Sequence, residues 1–112
     1  MRVLVIDPYK RNVEERHIPS SPRELQKIAS GFALVMTFPH NGKVHFVAVN
    51  ELPASEFHFK LGAEHVFSGF GVIFGCDNPF NAELESTDLS VAEIRAITTF
   101  FSAPRPPMGW VQ

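Results

Sequence analysis

A chain of 112 residues, 45% apolar and 20% charged, has the size and balance of one ordinary globular domain, which excludes a disordered or nucleic-acid-coating chain. The formal charge is −2, and the single cysteine, Cys76, excludes an intrachain disulfide and a four-cysteine zinc site. Eleven phenylalanines carry large apolar area without a polar handle, so they belong in a core or at an interface.

The apolar run at residues 3–6 ends at Asp7 and Pro8, and it reads as a buried strand. It is too short for a secretory leader, and no run approaches the ~20 apolar residues of a membrane span, so a soluble, cytoplasmic protein is expected. "VEERHI" at 13–18 predicts a second strand, paired antiparallel to the first across "PYKRN". Ser21, Pro22 and Glu24 then supply an N-cap, a first-turn proline and a capping box. Leu25, Ile28 and Ala29 form an apolar stripe and Gly31 a C-terminal stop, which together predict a helix over 22–30.

Two β-rich runs follow, "FALVMTF" and "KVHFVAV", separated by a connection containing Asn41 and Gly42. Asn-Gly is the strongest short signal for a type I′ hairpin turn. On the second run Val44, Phe46 and Ala48 share one face, and His45 is expected on the other, more exposed one. "SEFHFKLG" alternates apolar and polar residues and predicts a half-buried strand at a sheet edge. "GVIFGC" at 71–76 predicts a central strand, and the turn-rich acidic "DNPFNAELESTD" an irregular excursion. Ser90 and Glu93 form a second capping box, Leu89 and Ile94 a hydrophobic staple, and Ile97, Thr98 and Phe101 extend the helix to about residue 101. The proline-rich tail from 104 to 112 is expected to be an extended strip, with Trp110 either dangling or docked as an anchor on the domain or a neighbour.

Within "FSGFGVIFGCDNPF", residues 67–80, the glycines superficially resemble a phosphate loop. A phosphate loop follows a strand and opens a helix, whereas Gly71 and Gly75 bracket the strand itself. They are expected to permit a bulge, a bend or a close backbone approach. Cys76 has no flanking motif and no histidine fixed beside it by chain order, so it reads as a small buried apolar residue. His17, His40, His45, His58 and His65 form no metal-ligand spacing, and neither a metal nor another cofactor is expected. Asp7, Asn50, Glu51 and Asp77 each directly follow a strand, with His65 nearby; they are turn formers or, collectively, a speculative ligand site. Trp110 and Phe80 are the candidate interface residues.

Charge is uneven: residues 1–60 hold eight Lys or Arg against six Asp or Glu, and residues 61–112 two against six. The acidic second half disfavours nucleic acid and reads as a solvated loop and helix face or as a surface for a basic partner, although Lys10, Arg11 and Arg16 can meet phosphates locally.

The order of "VLVIDP", the helix "SPRELQKIASG", the hairpin leading to "VNE" and the later "GFGVIFGCD" resembles a family of short proteins of bacteriophages, plasmids and related bacterial genomes, known only as a domain of unknown function. "LPASEFHFKLG" lacks the glycine-rich continuation associated with that family. The resemblance implies a mobile-element origin and carries no activity. A single α+β domain over 1–103 is expected, an antiparallel or mixed sheet of about five or six strands with two helices packed on it. No catalytic constellation stands out, which favours a small binding protein acting on a protein partner or its own copy. The alternative is a small-ligand or nucleotide-binding module, possibly enzymatic, built on the polar strand ends.

Overall fold

The computed structural model describes residues 1–28, 34–49, 57–62, 65–76 and 84–102. In chain order they form β1 (Arg2–Asp7), β2 (Asn12–His17), α1 (Pro22–Ile28), β3 (Leu34–His40), β4 (Lys43–Val49), β5 (Phe57–Leu61), β6 (His65–Ser68), β7 (Gly71–Cys76), β8 (Leu84–Glu85), α2 (Val91–Ile97) and β9 (Thr98–Ser102). Among these residues every strand pairing is antiparallel. The expected α+β fold is present as a six-stranded sheet ordered β2-β1-β7-β4-β3, with β8 joined to β7, and a three-stranded sheet ordered β6-β5-β9.

β1 pairs with β2 as its sequence predicts, from Arg2 opposite His17 to Asp7 opposite Asn12. β7 is the central strand, inserted between β1 and β4, so Ile73 lies beside both Leu4 and Val47. The continuous apolar runs of β1 and β7 follow from this position, because both faces of the main sheet are covered. On one face Leu4, Ile6, Val47, Val49 and Ile73 pack with Phe59 and Phe67 of the small sheet and Ile94 of α2. On the other, Val3, Val5, Val72 and Phe74 pack with Leu25 of α1. Each such side chain contributes about 1.5–3 kcal/mol by leaving water.

The two glycines of the central strand serve close approach, as expected from their placement. A Cβ on Gly71 would lie 2.6 Å from Cζ of the buried Phe59 ring, and one on Gly75 would lie 2.5 Å from the Ser86 carbonyl oxygen. The hairpin turn also follows the sequence: Asn41 has φ 51 and Gly42 φ 76, the two positive values a type I′ turn requires.

Four expectations are corrected. α2 ends at Ile97, not near 101; Thr98 is already extended at φ −95, ψ 127, and residues 98–102 form β9 against β5. The run Thr98-Thr99-Phe100-Phe101 is β-branched and aromatic, and a waiting strand edge outweighs the helical period. β5 lies at the centre of the small sheet, flanked by β6 and β9, because period-two alternation reports which face is buried and not which edge is paired. His45 is on the covered face with Val47 and Val49, its side chain 11% exposed, while Val44 on the opposite face is 64% exposed. At α1, Ser21 Oγ accepts from the N–H of Arg23 at 3.2 Å, and the Glu24 carboxylate accepts from Lys27 Nζ at 3.2 Å in place of the expected reciprocal box. The capping box of α2 is complete: Glu93 N–H donates to Ser90 Oγ at 3.0 Å and Ser90 N–H to Glu93 Oε1 at 3.1 Å. β6 is a four-residue strand with no signal beyond the exposed Val66 and buried Phe67. Among the described residues no helix is long and apolar enough to cross a membrane.

Candidate functional site

Asp7 is the one sequence-predicted site residue whose side chain is described. Its Oδ1 accepts the N–H groups of Tyr9 at 2.9 Å and Lys10 at 3.2 Å, an Asx turn that shapes the connection from β1 to β2. Of His65 only the backbone is described, opposite Leu61 at the start of β6. Asn50, Glu51, Asp77, Phe80 and Trp110 lie outside the described residues, as does the tail beyond 102. Ile6, just before Asp7, and Val49, the last residue of β4, both pair with Gly71, so those strands finish at one end of the sheet. Cys76 leaves β7 opposite Leu84 at the other end, about 17 Å away at ~3.4 Å per residue.

At that other end the tip of the β3–β4 hairpin meets the start of α2. His40 Nε2 lies 3.2 Å from Glu93 Oε2 and His45 Nδ1 4.0 Å from Asp88 Oδ1, with the two imidazole centroids 6.0 Å apart. The Ser90 backbone N–H, with the His40 ring beside it, holds the Glu93 carboxyl below the usual carboxylate range. Two clefts of about 270 and 130 Å³ open here and share Lys43, His45 and Asp88. The neighbouring hydroxyls are engaged in structure: Ser86 Oγ accepts from Arg2 N–H at 2.8 Å, and Thr87 Oγ1 from Leu89 N–H at 3.2 Å. The arrangement joins the hairpin to α2, and among the described residues no three His, Cys, Asp or Glu groups converge for a metal. A two-residue turn sets Phe38 opposite His45 and His40 opposite Lys43, so both rings fall on one face. That relation is readable from Asn41-Gly42 alone, and it is the signal that sequence reasoning left unused.

The two edges of the main sheet differ in chemistry. β2 carries Glu14, Glu15, Arg16 and His17, with Arg16 Nε donating to Glu14 Oε1 at 2.8 Å and Arg2 pairing with Glu15. Such a charged edge resists further pairing. β3 carries Leu34, Val35, Met36, Thr37, Phe38 and Pro39 before His40, with no Asp, Glu, Lys or Arg, and among the described residues only β4 pairs with it. In a two-residue hairpin the pair flanking the turn, His40 and Lys43, exchanges ladder bonds, and the bonded pairs alternate from there. Phe38, Met36 and Leu34 therefore bond to β4, while Val35, Thr37 and Pro39 turn their backbone groups outward. Val35 is 58% exposed, and Thr37, Pro39 and Val44 continue an exposed strip at the β3 margin of the same face that α1 packs against.

A further cleft, of about 410 Å³, lies between α1 and the end of β1 and β2, where Asp7 sits with Lys10, Arg16 and Lys27. Compared with protein-family models, with curated proteins and with solved structures, the chain matches none.

Proposed function

We propose that this chain is a small non-enzymatic binding protein, of the phage- and plasmid-associated type its sequence resembles, and that it acts by protein contact through strand addition at β3. The observation that carries the reading is the contrast between the two sheet edges: β2 is charged, and β3 over residues 34–39 is apolar and uncharged with outward-facing main-chain groups. The occupant is β3 of a second copy. Antiparallel pairing of Val35 with Thr37 of the other copy, about a two-fold axis at Met36, forms four main-chain bonds and opposes no like charges. Four bonds at net values of about 1 kcal/mol each only match the lower end of the cost of association, so the pairing also draws on burial of Met36 and its neighbours, and the dimer is weak and dissociates on dilution.

Sedimentation equilibrium tests this. The wild type is expected to approach twice its 12.5 kDa mass at high concentration and to fall toward the monomer on dilution. The double variant Val35→Lys/Thr37→Lys places charge on exposed edge positions, so it stays monomeric, with a thermal midpoint equal to the wild type's under dilute conditions where both are monomers. A wild type that remains monomeric at every concentration overturns the proposal.

A further inference from the structure

We infer that the cleft between α1 and the β1–β2 end of the main sheet binds a small phosphate ester with a planar apolar body, of the nucleoside monophosphate class. This site is separate from the β3 edge and does not depend on it. Its volume of about 410 Å³ falls within the range of roughly 300–1,000 Å³ usual for small-molecule sites.

Three cations from three different elements surround one opening: Lys10 from the β1–β2 turn, Arg16 from β2 and Lys27 from the last turn of α1. Asp7 also lines the cleft, its Oδ1 accepting the N–H groups of Tyr9 and Lys10, so the lining side chains carry three positive charges against one negative. Arg16 is shared with Glu14, their side chains 50% and 42% exposed, and Lys27 with Glu24 at 66% and 29%. Exposed pairs of this kind are weakly held, and a phosphate dianion offers the same cations a stronger, charge-assisted partner. The Lys10 ammonium has no carboxylate partner among the described residues.

The apolar part of the lining is formed by the buried Val5 with Ile28 and Phe70. The Phe70 ring lies 5.3 Å from that of Tyr9, which fixes an aromatic wall beside the cations. A bare anion leaves this wall unused, and an uncharged aromatic compound leaves the cations unused; a phosphate ester on a planar body engages both. A nucleic-acid strand is disfavoured, since the chain carries a net −2 and the grouped cations are confined to one small opening.

The test is calorimetric titration of the full chain at low salt with adenosine 5′-monophosphate, inorganic phosphate and adenosine. The monophosphate is expected to bind saturably, with phosphate and adenosine each at least about tenfold weaker and all charged binding reduced by added salt. Lys10→Gln/Arg16→Gln should weaken the monophosphate at least about tenfold, while the ligand-free unfolding midpoint stays at the wild-type value. Phe70→Leu should weaken the monophosphate and leave phosphate unchanged. Absence of monophosphate binding at millimolar concentration, or equal affinity in the Lys10/Arg16 variant, overturns the site. Phosphate binding as tightly as the monophosphate overturns the ester class.

Discussion

Replacing Gly71 by Ala tests whether the central strand owes its glycine to the ring packed on it. The added methyl would sit 2.6 Å from Phe59 Cζ and 3.3–3.4 Å from Cε1 and Cε2, where ordinary contacts begin near 3.4 Å, so the ring must retreat by nearly 1 Å. Phe59 is fully buried and packed within the main core cluster, which leaves it little room to retreat. Overpacking of this kind costs about 1–3 kcal/mol, against which Ala recovers about 0.5–1 kcal/mol of the backbone entropy that Gly loses. A net loss of about 1–2 kcal/mol lowers the midpoint of a domain this size by about 4–16 °C. Phe59→Leu removes Cζ and alone costs about 1–2 kcal/mol, but it should recover most of the loss when combined with Gly71→Ala. Thermal and urea unfolding of the four proteins measure the coupling. Gly42→Ala provides the control: it meets nothing within 4 Å and is strained through its φ of +76, so Phe59→Leu should not rescue it. Wild-type stability in Gly71→Ala, or additivity of the two changes, would refute the close-approach account.

The remaining predictions concern the start of α2 and the acid limb of stability. Ser90→Ala removes one half of the capping box and is expected to cost about 1 kcal/mol in urea unfolding; no change would show that Ser90 Oγ contributes nothing. Glu93→Gln weakens the bonds to Ser90 and His40, so hydrogen exchange should accelerate in the first turn of α2 and at the hairpin tip, and not at β2. The carboxyls of Glu93 and of Glu15, which Arg2 and then His17 hold down, both sit below their usual range. Each therefore adds stability that is complete above the unfolded carboxylate value and is lost as pH falls through the folded one. Acid unfolding of Glu15→Gln and Glu93→Gln should show a shallower loss of stability below about pH 4.5 than the wild type, and an identical slope would contradict this.

Local chemistry was legible in the sequence wherever one physical cause dominated. Pro8 ends β1, Asn41-Gly42 makes the hairpin turn, and Ser90 with Glu93 caps α2, because each acts over a few residues. The position of "GVIFGC" as a central strand was legible from its unbroken apolar run, but not its insertion between β1 and β4, which only the folded register supplies. Thr98 to Phe101 satisfied the helical stripe and the strand propensity together, and the decision belonged to β5. The apolar set Val44, Phe46 and Ala48 points to the His45 side as the exposed one, but Val44 lies near the hairpin tip and is 64% exposed, while His45 shares its face with the buried Val47 and Val49. The candidate contact edge was equally hidden. Its uncharged residues were visible as a strand, while the fact that β3 lies at the border of the sheet is a property of topology.

Residue-resolved hydrogen exchange along β3 at several protein concentrations tests the proposed contact most directly. Met36 and Phe38 donate inward to β4 and should be protected throughout, while the outward amides of Val35 and Thr37 should gain protection as concentration rises and lose it in Val35→Lys/Thr37→Lys. Fast exchange of Val35 and Thr37 at every concentration, beside protected Met36 and Phe38, would contradict strand addition at this edge.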